Sequence, residues 1–241
     1  MSTPVTLYPE STRGRADYGW LQANYSFSFG AYYDQERLHF GALRVLNDDT
    51  VAPAAGFDWH PHRNMEIITI PLSGHLQHRD SMGHTAVIGP GEVQVMSAGT
   101  GVYHSEFNAS AEHPVSLLQI WILPERQNVA PRYDQIRLPQ PSADMITVVG
   151  PRDNGGLSWI HQQAWITLAH PAAGQTLTYP MKQSKNGLYL FVIEGTVYAA
   201  EQELNRRDAL GCERMDALNI RAATNSRLLL IEVPLLTLTG S

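Results

Sequence analysis

A single cysteine, Cys212, serves all 241 residues. One thiol cannot close an intramolecular disulfide, and it fits a reducing compartment, so a cytoplasmic location is expected. It also argues against structural zinc, which favours several thiolates. Positive charge is scarce: 17 Lys and Arg stand against 23 Asp and Glu, for a formal net charge of -6. Non-specific nucleic-acid binding relies on a basic surface, so nucleic acid is not an expected partner. No run approaches the roughly 18 apolar residues that suggest a membrane span. The longest candidate, residues 228–236, is broken by Glu232 and Pro234 and reads as a core strand. The first twenty residues carry Pro4, Glu10, Arg13, Arg15 and Asp17 without an apolar run, unlike a signal peptide. Histidine is nearly missing from the second half: eight of the ten precede residue 114.

What is present is a series of short strand-like segments divided by Gly and Pro. Residues 5–8, 43–46, 66–72, 75–79, 93–96 and 117–123 read as strands. Residues 25–29 alternate aromatic and serine, which predicts a strand with its rings on one face. Asn47-Asp48-Asp49 reads as a turn, as do residues 73–74, 80–83 and 89–91. Regular short strands of this kind predict an all-β barrel or jelly roll. Pro124, Pro131, Pro139 and Pro141 exclude a long helix or central strand and mark a linker. Two domains are expected, 1–134 and 135–241. Residues 187–198 echo the first domain, and aligning Gly195 on Gly74 sets Met181 and Gln183 where His60 and His62 stand. No histidine occurs near Arg221, where His104 should recur. The second barrel therefore has the layout of the first without its histidines, and its expected role is structural.

The chemistry concentrates between Gly56 and Asn108. Side chains alternate faces along a strand, so His60 and His62 point one way, as do His104 and Glu106. If these strands face each other in a barrel, three imidazoles and a carboxylate converge. That donor set, with open positions, suits a divalent transition metal. Glu66 lies four residues after His62 and shares its face if the strand is unbroken, so strand parity leaves two candidate carboxylates.

Residues 56–66 (GFDWHPHRNME) resemble the first cupin motif, and Gly91 through His104-Ser105-Glu106-Phe107-Asn108 resembles the second. His-Pro-His-Arg, Ser-Ala-Gly-Thr-Gly and His-Ser-Glu together resemble the pirin family, and in particular its bacterial members described as quercetin 2,3-dioxygenases. The resemblance implies a bicupin, two jelly-roll β-barrel domains in tandem, with one metal held by His60, His62, His104 and Glu106. Glu66 is then expected beside the ligands, accepting from a histidine's other nitrogen. Iron(II) is the first choice of ion, while nickel, copper, manganese, cobalt or zinc fit the same donors. The implied activity is dioxygenation of a flavonol-type aromatic substrate with O2, Glu106 acting as the catalytic base. Two alternatives stand beside it: a non-enzymatic, metal- and redox-sensing protein that regulates a protein partner, and a cupin enzyme with another substrate. His75, His78 and His84 flank the hairpin and are read as exposed strand or turn residues, with a substrate contact as the alternative. Trp59 points away from the metal by alternation and is read as core, with Phe27, Phe29 and Met96. Cys212 is read as an unreactive turn residue.

Overall fold

The computed structural model describes residues 4–139 and 145–236. Apart from a single 3-10 turn at Glu10–Thr12, the named elements are strands. They form four sheets, two large and two small. The first large sheet runs, edge to edge, Arg132–Arg137, Glu92–Ser97, Glu66–Ser73, Val115–Ile122, Leu43–Val51, Leu21–Tyr25 and Gly14–Asp17. A small sheet of Gly56–His62, Val102–Asn108, Leu76–Asp80 and Thr85–Ile88 closes over it to make the first barrel. The second barrel repeats the plan. Its large sheet is Val5–Tyr8, Ala209–Glu213, Asn186–Glu194, Arg227–Pro234, Trp165–Ala169, Ile146–Pro151 and Ser158–Ile160. Its small sheet is Thr176–Pro180, Ala217–Ala222, Val197–Ala199 and Gln202–Leu204. This is the double cupin that the turn spacing and the family resemblance predicted.

The two large sheets share a core. Leu46, Ile68, Ile70, Val95, Leu118 and Ile120 from the first pack with Tyr189, Phe191, Ile193, Leu229 and Ile231 from the second. A strand covered on both faces loses the polar alternation of a half-exposed one. In Glu66–Ser73, Ile68 and Ile70 join this shared core while Ile67 joins a separate cluster with Met96 and Val102 inside the first barrel. Each such fully buried side chain contributes about 1.5–3 kcal/mol. The first strand, Val5–Tyr8, ties the halves further, since it pairs antiparallel with Ala209–Cys212 of the second large sheet.

Several local expectations change. Asp48 and Asp49 are not in a turn but inside the strand Leu43–Val51. Asp48 faces the second half, where Arg207 Nε lies 2.6 Å and Arg13 Nη1 3.5 Å from its Oδ2. Those two buried guanidiniums stabilise a carboxylate that a turn would have left in water. Asp49 points the other way and is 4% exposed. The aromatic and serine stretch stops being a strand at Tyr25. Its rings then divide: Phe27 enters the shared core, whereas Tyr25 and Phe29 pack on a cluster around Leu21 and Val51. The proline-rich stretch holds an edge strand, Arg132–Arg137, paired with Glu92–Ser97. Pro131 and Pro139 only bracket it, an edge being where a strand tolerates neighbouring proline; Pro141 lies outside the described residues. Cys212 sits in the strand Ala209–Glu213, fully buried, and burial pushes its thiol up to about 12.

Candidate metal centre

Strand register brings the histidines together. Gly56–His62 pairs antiparallel with Val102–Asn108, so that His104 stands directly opposite His60, and Val102 opposite His62. The register then slips between His104 and Glu106, which stands opposite Phe57. Gly56 permits this close approach, since a Cβ there would lie 2.3 Å from the Glu106 carbonyl oxygen. Ring centroids are 4.3 Å apart for His60 and His104, 4.8 Å for His62 and His104, and 4.9 Å for His60 and His62. One nitrogen of each ring falls within 4.8 Å of the others.

The surroundings prepare these rings for an ion. His60 Nδ1 lies 2.7 Å from the Asp58 carbonyl oxygen, to which it donates, leaving Nε2 with its lone pair. His104 is fully buried, and neither of its ring nitrogens has a hydrogen-bond partner. Leaving a buried polar atom unpartnered costs about 1–3 kcal/mol, and coordination would remove that cost at the nitrogen that carries the lone pair. Burial, then the neighbouring imidazoles, pushes His104 down to about 2, and burial and His60 push His62 down to about 4. His62 and His104 are therefore neutral, the form that ligates. Trp121 packs edge-on at 4.9 Å from His62.

Glu106 is buried at the same end of the barrel, and one of its oxygens lies within 4.8 Å of donor nitrogens on His104 and His78. Gln119 Nε2 donates to its Oε2 at 3.0 Å, and the Thr69 hydroxyl, 3.5 Å from Oε1, donates to Gln119 Oε1 at 3.0 Å. Burial raises Glu106 to about 7, against the lowering effect of Gln119, Thr69 and Gln94. Thr69 stands between Gln94 and Gln119 in the sheet, so a polar row runs beneath the carboxylate.

Glu66 is not beside the histidines. The strand breaks after His62, with Asn64 at φ 49°, and Glu66 resumes on the face opposite Thr69. It takes a 2.6 Å hydrogen bond from Ser97 Oγ instead, and burial raises it to about 7. Glu66 does not share the histidines' face because the strand is interrupted between His62 and Glu66. His78 also departs from expectation. It is fully buried, its Nε2 3.1 Å from Asp80 Oδ2, and its ring stacks on Tyr133 at 4.8 Å. His75 and His84 are exposed, as expected. Trp59 does point away from the histidines, but it is 52% exposed rather than core, because the outer face of the small sheet is uncovered there. Trp121, Thr69, Gln94 and Gln119 carried no functional reading in the sequence, and His78 only that of a substrate contact ranked below an exposed residue; cross-strand register brings them to the site.

Residues 8–122 match the family described as Pirin, and residues 147–233 match the one described as quercetinase C-terminal cupin domain. A quercetin 2,3-dioxygenase of Escherichia coli K12 is 35% identical over 234 residues, 95% of this chain and 99% of that protein. The chain belongs to the pirin family. A pirin-like protein of Caulobacter vibrioides is 37% identical over 227 residues, 93% of this chain and 97% of the relative. The crystal structure of the bacterial pirin YhhW of E. coli in complex with nickel(II) superposes with a TM-score of 0.91 at 34% identity, covering 97% of this chain and all of that one. No helix among the described residues is long and apolar enough to cross a membrane. This pirin thus carries a His and Glu cluster able to bind a metal, inside one of two cupin domains.

Proposed function

We propose that the protein is a metal-dependent dioxygenase for a flavonol-type phenolic substrate, with His60, His62, His104 and Glu106 as ligands of one divalent transition ion. The observation that carries this reading is the convergence of His60, His62 and His104 around a fully buried His104 with two unpartnered nitrogens. Imidazole and carboxylate donors accept several ions, and iron(II) is the choice that matches oxygen chemistry. Bound there, the ion would supply an acidic, redox-active centre for a substrate hydroxyl and O2. His60 is held in its ligating tautomer by the Asp58 carbonyl. Trp121 supports the His62 ring from the barrel side. Glu106 is the base: a substrate hydroxyl proton passes to its carboxylate, which Gln119 and Thr69 hold in place. The relatives named quercetin 2,3-dioxygenase support this substrate class. A lone buried thiol fits the reducing cytoplasm that iron(II) requires.

The test is oxygen uptake by protein stripped of metal, reloaded anaerobically with iron(II) and mixed with quercetin, with His104→Ala alongside. Uptake matched to loss of flavonol absorbance, and absent in the variant, is expected. No uptake with iron shown to be bound would sink the dioxygenase reading and favour a different substrate or a metal-sensing partner of another protein.

A further inference from the structure

The four ligands proposed above leave one imidazole at the centre without a role. His78 lies on Leu76–Asp80, the strand on the other side of Val102–Asn108 from His60 and His62, and stands directly opposite Glu106. Its ring centroid is 5.4 Å from that of His104. His78, His104 and Glu106 each bring a donor atom within 4.8 Å of the other two, and none of the three is more than 3% exposed. Two overlapping donor triads therefore meet at His104: an outer one with His60 and His62, and an inner one with His78 and Glu106.

His78 is posed as ligating histidines are. Asp80 Oδ2 lies 3.1 Å from its Nε2. Asp80 is itself fixed, its Oδ1 accepting from the backbone N–H groups of Met82 at 2.9 Å and His84 at 3.0 Å. A carboxylate that accepts from one ring nitrogen leaves the other with its lone pair and raises its basicity. That other nitrogen, Nδ1, is buried and has no hydrogen-bond partner. The stack on Tyr133 fixes the plane of the ring. A fully buried imidazole whose one nitrogen is tied to a carboxylate and whose other nitrogen is unpartnered is poorly explained by packing alone.

We propose that His78 is a further metal-ligating residue, forming with His104 and Glu106 an inner seat for a divalent transition ion that overlaps the outer seat of His60, His62 and His104. The two seats share His104, and Glu106 serves both, so one ion occupies either seat, never both at once. The proposal rests on the metal centre assigned above and gives it depth: the ion has a second position further into the barrel, held by the nitrogen that Asp80 leaves free. With the ion in the inner seat, His60 and His62 are freed to contact an incoming substrate.

The experiment follows cobalt(II) binding to metal-free protein by equilibrium dialysis and by the visible spectrum of the bound ion, with no activity needed. Wild type is expected to bind one cobalt per chain. The double variant His60→Gln/His62→Gln should still bind one cobalt, more weakly and with a changed spectrum, through the inner seat. Adding His78→Gln to that background should cost more than about 100-fold in affinity, beyond the roughly 10–100-fold expected for a residue that merely supports a ligand. A double variant that binds no cobalt, or a triple variant that binds as tightly as the double, would overturn the inner seat while leaving the outer centre intact. A wild-type protein that binds no cobalt would overturn the centre and its inner seat together. Thermal unfolding of each metal-free variant checks folding, and His60→Gln alone provides the same comparison should the double variant not fold.

Discussion

The two barrels are built on one strand plan and differ inside in a few rows of side chains. In the first, Thr69 pairs with Gln94 on one side and Gln119 on the other. In the second, Leu190 takes the same place between Leu210 and Leu230. A polar row beneath Glu106 has become three leucines in a dry cluster. One row further, Ile67 pairs with Met96 and Trp121, while Leu188 pairs with Cys212 and Glu232. Glu232 thus stands where Trp121 supports His62, and it does something different. Its carboxylate accepts from the backbone N–H of Lys182 and Gln183, the Asn186 amide and the Tyr179 hydroxyl at 2.9–3.1 Å. The first barrel keeps its mouth lined with unpartnered donors; the second closes its mouth on a carboxylate of its own.

The largest effect should come from erasing that difference at its centre. His104→Ala removes the one imidazole that belongs to both donor triads of the first barrel. It should lower affinity for cobalt(II) or nickel(II) by at least about 100-fold, since even loss of a residue supporting a ligand costs roughly 10–100-fold. The rise in unfolding temperature that bound metal gives the wild type should vanish with it. Calorimetric titration that finds the same affinity in both proteins would end the metal assignment.

Glu232→Ala is the reciprocal change, opening the barrel that is closed. It strands two backbone amides, a side-chain amide and a buried hydroxyl, each worth about 1–3 kcal/mol when left unpaired, part of which entering water recovers. Urea unfolding should show a loss of about 3 kcal/mol, while metal affinity in the first barrel stays put. Equal stability of variant and wild type would mean that the carboxylate does not hold the loop.

The barrels also differ in buried acid. Asp49 faces into the first barrel opposite Leu117, and Ala169 holds the matching place in the second, opposite Leu228. Burial first, then Asp48 and Glu106, raises Asp49 to about 8. Below that value the folded chain keeps a proton that the unfolded chain releases above about pH 4. Stability of the metal-free protein should therefore fall as pH rises between about 4 and 8, by up to about 1.4 kcal/mol per pH unit from this group. Asp49→Asn should flatten that slope and raise stability near pH 8. A slope unchanged in the variant would remove Asp49 as its source.

How far the sequence disclosed this depends on whether a feature is written along one strand or across several. His60 and His62 share a strand and a period of two, so their common face was legible. The double barrel was legible in its turns and in the echo of residues 66–78 by 187–198. Glu66 was placed on the histidines' face only for an unbroken strand, and Asn64, a residue type that tolerates positive φ, breaks it. His78 looked like one more hairpin histidine, since its burial comes from its pairing opposite Glu106. The counterpart of His104 was sought at Arg221, but Met181 N donates to the Asp216 carbonyl oxygen, so Asp216 lies opposite Met181. Cross-strand register decides each of these, and register is a property of the assembled sheet.

The smallest expected effect tests the polar row itself. Thr69→Val keeps volume and removes one hydroxyl, moving that position toward the leucine of the second barrel. Gln119 Oε1 then loses its 3.0 Å donor, and the Gln119 amide is free to turn away from Glu106. An unsatisfied buried acceptor costs about 1 kcal/mol or somewhat more, partly offset by the added methyl. Overall stability should thus change by no more than about 1 kcal/mol. Metal affinity should fall by about tenfold, because the carboxylate is less well held. The same Gln119 can be tested as Gln119→Leu, which completes the likeness to Leu230 and should give a larger loss than Thr69→Val. If both variants bind metal as wild type does, the row is filler, and the contrast between the barrels reduces to the histidines alone.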